Sequence, residues 1–139
     1  MYLLDTCVIS ELIRNEPDEK VINWLDSIDD GDFYLSVLTL GELQKGISKL
    51  RELKKKDHLM DWLETDLKTR FERRIVPITQ EIAQKWGVLS GESEQKGRKL
   101  PVIDALIVAT ALHLGLVIVT RNVDDMEGVG AQIINPWRL

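Results

Sequence analysis

LPVIDALIVATALHLGLVIVT, residues 100–120, reads as a helix and a strand with almost no polar surface between them. Ile103, Ala105, Leu106, Ile107, Val108, Ala109, Ala111 and Leu112 leave the segment Ile103–Leu114 little hydrophilic face, so the helix is buried nearly all round. Gly115 closes it, and Leu116–Val119 is a short apolar strand. A buried helix feeding a buried strand is the signature of a parallel sheet covered on both faces.

The same alternation runs outward to both ends. Tyr2–Leu4, Phe33–Leu35, Ile75–Ile78 and Gln132–Ile134 are the other strand candidates, and Pro77 argues for an edge or a strand end at the third. Amphipathic helices are expected over 5–14, from Pro17 to Ile28, from Val37 to about Leu53, and after Asp57 with Met60, Leu63, Leu67 and Phe71 as its stripe. Thr79 can cap a further helix with Ile82, Trp86 and Leu89 on its core face, and the polar stretch 91–101 reads as a loop. The fold class is α/β.

Length and composition agree with a single domain over residues 1–139. No window has the roughly 18 apolar residues a membrane span needs, and the start lacks the layout of a secretory signal, so a cytoplasmic protein is expected. One cysteine, Cys7, excludes an internal disulfide and any multi-cysteine zinc site, and two histidines make a His-rich site equally improbable. The net charge of -5 is uneven: residues 1–44 carry ten acids against two bases, and 45–74 carry ten bases against six acids. An acidic total disfavours a simple nucleic-acid binder but suits a protein that gathers acids around cations.

Several of those acids stand where carboxylates are costly or strategic. Asp5 follows the first strand directly, and Asn122, Asp124 and Asp125 follow the strand Leu116–Val119. Ligands of an open parallel sheet bind beyond these carboxyl ends. Taken singly, Asp5 also reads as a helix N-cap and 122–125 as a polar turn. Asp104 lies in the buried helix, where an unpaired carboxylate costs several kcal/mol, although a first-turn position is also favoured by the helix dipole. Glu42 lies in LTLGELQKGI beside Gly41 and one turn before Gly46, and such helix glycines suggest close packing or backbone approach. Oxygen ligands without His or Cys suit a hard dication such as Mg²⁺ or Mn²⁺, whose chemistry includes phosphodiester hydrolysis.

With these residues identified, the chain resembles the PIN-domain ribonucleases, and most of all the VapC and FitB type toxins of toxin–antitoxin pairs. MYLLDTCVISELI is similar to the family's first motif, LSVLTLGELQKGI to the second with Glu42, and LPVIDALIVATALHLGLVIVTRNVDDM to the third with Asp104 and the fourth with Thr120, Asn122 and Asp125. IINPW is similar to its C-terminus. The resemblance implies a PIN-like three-layer fold, with a mostly parallel sheet of four to five short strands between helices. It implies that Asp5, Glu42, Asp104 and Asp125 serve as catalytic, metal-site acids, with Asn122 sharing or replacing the last. Thr6 and Ser10 would orient Asp5, and Thr120 would support the same site. Asp124 is the acid left over, and Met126 stands where the motif more often has an aromatic.

The resemblance further implies an Mg²⁺-dependent endoribonuclease toxin, with Mn²⁺ able to substitute. It implies a homodimer, an RNA substrate of the tRNA or rRNA class, and a small antitoxin whose C-terminal segment lies over the acids. The competing reading is a PIN-like domain that binds metal and RNA without cleaving. The basic residues Lys45, Lys49, Arg51, Lys54–Lys56, Lys68, Arg70, Arg73 and Arg74 are either RNA contacts or the solvated faces of two helices. Cys7 reads as a small buried hydrophobe, and the tryptophans as core or interface residues.

Overall fold

The computed structural model describes residues 1–139 and contains a five-stranded, all-parallel sheet in the order β3-β2-β1-β4-β5. The strands are β1 (Tyr2–Leu4), β2 (Phe33–Ser36), β3 (Ile75–Val76), β4 (Val117–Val119) and β5 (Ile133–Ile134). Tyr2 pairs with Phe33 on one side and Val117 on the other, so β1 is central. No helix is long and apolar enough to cross a membrane.

Alternation along the strands divides the interior into two cores, one on each face of the sheet. Leu4, Phe33, Leu35 and Val119 face a core shared with α1 (Thr6–Leu12), α2 (Glu19–Asp26), α3 (Val37–Ser48) and the segment from α4 (Leu53–Asp61) to Phe71. Leu3 and Ile118 face the other, built on α6 (Gln80–Gln95) and α7 (Val102–Leu114). This is the three-layer α/β arrangement expected. α5 (Lys68–Arg70) and α8 (Val123–Met126) are single turns.

Some boundaries differ from the sequence reading. The helix expected to reach Leu53 stops at Ser48, and α4 begins at Leu53. A straight continuation would carry Leu59, Met60 and Trp62 away from the core that Leu43 and Ile47 enter. The stretch 91–101, expected as a loop, is helical to Gln95, because Ser93 extends by one turn the buried stripe of Ile82 and Leu89. Gly41 and Gly46 are exposed, and a Cβ on either would meet nothing within 4 Å, so the expected close approach is absent. Nothing in the fold explains these two glycines.

Because every strand points the same way, the ends of β1, β2 and β4 open onto one edge of the sheet. The chain runs outward from β1 through β2 to β3, and β4 and β5 lie on the other side of β1. The gap between β1 and β4 is therefore the point where strand order reverses and side chains can converge around a ligand.

Candidate acidic site at the sheet edge

Asp5 leaves β1 and turns the chain into α1. Its backbone N–H donates to the Val119 carbonyl at 2.9 Å, so the residue is stitched to the end of β4. It is buried, and its carboxylate is held from two sides. Oδ1 accepts the Thr6 N–H at 2.8 Å as a helix cap, and Oδ2 accepts the Thr120 hydroxyl at 2.8 Å. The cap reading of Asp5 is met, and its other oxygen is held towards the turn after β4. Thr120 also accepts the Asn122 N–H at 2.9 Å, which ties the turn after β4 to Asp5.

Glu42 comes from α3, whose start is capped by the Ser36 hydroxyl at the end of β2. The Thr6 hydroxyl donates to Glu42 Oε1 at 2.5 Å and lies 3.2 Å from the Thr39 hydroxyl. Thr6 thus serves two acids, its N–H orienting Asp5 and its side chain orienting Glu42. Ser10 lies one turn further along α1 and is not among Asp5's hydrogen-bond partners. It lines a groove instead.

Asp104 occupies the first turn of α7, half-buried at the same edge. Burial first, then the charges of Asp5, Asp125 and Glu42, push its carboxyl from an ordinary 3.8 up to about 6. The three acids raising it come from three other segments of the chain. None of the ion pairs offsets this repulsion, since they engage Glu11, Glu64 and Asp30. Asp125 sits on α8 and Asn122 precedes it, both exposed; Asp124 does not contribute to the field at Asp104.

The four carboxylates share one field, yet no three of them converge into a preformed ligand cluster. Oxygen donors without His or Cys are the chemistry that suits a hard dication such as Mg²⁺ or Mn²⁺. Mg²⁺ keeps several waters and is commonly held by one or two carboxylates together with substrate phosphate.

A groove leads away from the acids between α1 and α4. Ser10, Ile13, Lys55 and Leu59 line a cavity of about 640 Å³, and the same residues with Thr6 and Glu42 line an adjoining one of about 210 Å³. Lys55 is thus the one basic residue of the expected patch that lines the groove beside Glu42. Others have structural partners: Arg70 pairs with Asp30 at 2.8 Å, Lys68 with Glu64 at 2.8 Å, and Arg74 donates to the carbonyls of Asp30, Phe33 and Arg70. Cys7 lies 3.8 Å from Asp5 Oδ2, and burial followed by that negative charge raises its thiol pKa, which leaves it a poor nucleophile.

The sequence reading did not single out Glu11. This buried carboxylate accepts from Arg14, from Arg121 at 3.1 Å, from the Trp137 indole at 3.2 Å and from the Asp18 N–H at 3.0 Å. Burial opposes its charge, but these donors outweigh burial and hold its pKa below the ordinary carboxylate value. Arg121 also lies 4.3 Å over the Trp137 ring. Glu11 therefore ties α1, the start of α2, the turn before Asn122 and the C-terminus together. The signal was present in sequence, as an acid inside VISELI.

The PIN domain family matches residues 2–130. Toxin FitB of Neisseria gonorrhoeae is 36% identical over 137 residues, covering 99% of each chain. The VapC ribonuclease Y4jK of Sinorhizobium fredii is 32% identical over 137 residues, covering 99% of this chain and 98% of its own. The crystal structure of FitAcB from Neisseria gonorrhoeae superposes with a TM-score of 0.95 at 36% identity, covering 100% of both chains.

Proposed function

The chain belongs to the PIN domain family, and from that premise we propose that it is a divalent-metal-dependent endoribonuclease, the toxin of a toxin–antitoxin pair. The observation that carries the reading is the field at Asp104. Burial first, then the charges of Asp5, Asp125 and Glu42, push the Asp104 carboxyl up, and the part due to those charges is relieved most directly by a dication. A relative named as a ribonuclease and a relative named as a toxin support the substrate and the biological role.

Asp5, Glu42, Asp104 and Asp125 would hold Mg²⁺ or Mn²⁺, directly or through water, with Asn122 assisting. Such an ion lowers the pKa of water and stabilises charge on phosphate oxygens. The protein's own groups fix the geometry for this. Thr120 and the Thr6 N–H lock both oxygens of Asp5, and the Thr6 hydroxyl fixes Glu42, so neither carboxylate has to reorganise as the ion and RNA arrive. Lys55 beside Glu42 offers a phosphate contact.

The groove between α1 and α4 supports an antitoxin segment as the partner, since apolar Ile13, Leu59 and Trp62 lead to the acids. Exposed Val102 and Ile103 beside Asp104 support association with a second copy. Induced expression in bacteria tests the toxin role. Growth should stop with the wild type and continue with Asp104→Asn. Undisturbed growth with wild-type protein accumulating would refute the toxin reading.

A further inference from the structure

Asp125 is carried by α8, a single turn with no side-chain cap at its start. A lone turn does not hold itself in water. Buried Met126 pins its underside. Its other hold comes from the loop that joins α6 to α7.

α6 ends in a Schellman motif. Gly97 adopts a left-handed φ of +78°, its N–H donates to the Glu94 carbonyl at 3.0 Å, and the Arg98 N–H donates to the Ser93 carbonyl at 2.8 Å. The backbone of Arg98 is thereby fixed. Its guanidinium fork then reaches α8, with Nη2 donating to the Asp124 carbonyl at 2.6 Å and Nη1 to the Glu127 carbonyl at 2.8 Å. A cation on the free carbonyls at a helix's C-terminal end is favourably placed. Gly128, at φ +81°, leaves room for it, since a Cβ there would stand 3.2 Å from Arg98 Nη1. The same loop runs on into α7, whose first turn carries Asp104.

We propose that Arg98 is a positioning residue of the acidic site: by bracing α8 from the end of α6, it sets Asp125 against Asp104. This rests on the proposed reading of those acids as metal ligands. Arg98 acts through the backbone of α8 and touches neither ion nor substrate.

The test is Mn²⁺ binding followed by electron paramagnetic resonance, on wild type, Arg98→Met, Arg98→Lys, Gly128→Ala and an Asp104→Asn control. Unfolding temperatures in EDTA and the kcat and KM of an RNA substrate are measured alongside. Loss of a group that orients ligands costs roughly tenfold or more in metal affinity, and that is expected of Arg98→Met. Arg98→Lys should recover part of it, because a lysine keeps the charge without the fork. Gly128→Ala, which crowds the guanidinium and strains the left-handed backbone beside it, should weaken Mn²⁺ binding in the same sense. KM should stay unchanged, and kcat should recover at saturating Mn²⁺. If Asp104→Asn abolishes Mn²⁺ binding while Arg98→Met and Gly128→Ala leave it unchanged, the brace is refuted and the metal site stands. A raised KM with unchanged Mn²⁺ affinity would make Arg98 an RNA contact and overturn the proposal. Wild-type Mn²⁺ affinity in Asp104→Asn would overturn the ligand reading and the brace with it. Should Arg98→Met fail to fold, Arg98→Lys and Gly128→Ala distinguish the same outcomes.

Discussion

Replacing Asp104 with Asn should stabilise the ion-free protein while removing its capacity to be stabilised by an ion. The carboxyl titrates at about 6 in the fold against an ordinary 3.8, a difference of about two units. Each unit is worth about 1.4 kcal/mol, so ionised Asp104 costs the folded state at most about 3 kcal/mol. The side chain is only half-buried and water screens part of the repulsion, which brings the expected gain down to about 1–2 kcal/mol. Because the folded pKa lies above the unfolded one, the cost is absent where both states hold the proton, below about pH 4. It grows as pH rises towards 6 and is complete above that. Urea unfolding in EDTA should therefore show Asp104→Asn more stable than wild type at pH 8, with the difference reduced to about a third at pH 4.5. A gain of this size raises the melting temperature by roughly 3–8 °C in a chain of this length. Millimolar Mn²⁺ should then raise the melting temperature of the wild type and leave that of the variant nearly unmoved. A variant less stable than wild type in EDTA at pH 8, or a difference that does not change with pH, would refute the electrostatic argument.

Thr6→Val removes the hydroxyl that fixes Glu42 and leaves the Asp5 cap intact, so cleavage should fall by roughly 10–100-fold with stability changed by no more than about 1 kcal/mol. Steady-state kinetics beside a melting curve separates the two effects. Glu11→Gln weakens the hub under Arg121 and Trp137 and should cost about 1–3 kcal/mol at pH 7. Its folded pKa is depressed, so the contribution is present above about pH 4 and lost as pH falls through the folded value; unfolding at pH 7 and pH 3.5 should show that cost shrinking. Lys55→Ala should lower RNA affinity and flatten its salt dependence, whereas Arg70→Ala, which loses an exposed pair with Asp30, should change neither. Filter binding across a salt series distinguishes them.

The parts of the fold that were legible in sequence are those whose residues announce burial. The helix Ile103–Leu114 has so little polar face that its middle, Ala105 to Ala111, lies in the interior, although Ile103 and Leu114 at its ends are exposed against the expectation of burial all round. Asp5 and Asp104 stood out for the same reason, as charges in apolar runs. The break between α3 and α4 was hidden, since Leu40, Leu43, Ile47 and Leu50 keep helical spacing up to it. Ending α3 at Ser48 lets Leu59 and Trp62 pack against the core that Leu43 and Ile47 enter. Strands of two residues, such as β3 and β5, carry no period of their own and owe their existence to their neighbours in the sheet. The support around the acids was least legible. That Thr6 serves Glu42, or that Arg98 reaches the carbonyls of α8, depends on how separate helices sit across the sheet, and local sequence does not encode that.

Cleavage of RNA by the purified protein decides whether the four acids form a nuclease site. Total RNA is incubated with wild type in Mg²⁺ or Mn²⁺, in EDTA, and with Asp5→Asn and Asp104→Asn beside it. Discrete fragments that form with either ion, vanish in EDTA and are absent with both variants are the predicted result. Identical fragments from wild type and Asp104→Asn, or cleavage undiminished by EDTA, would contradict it.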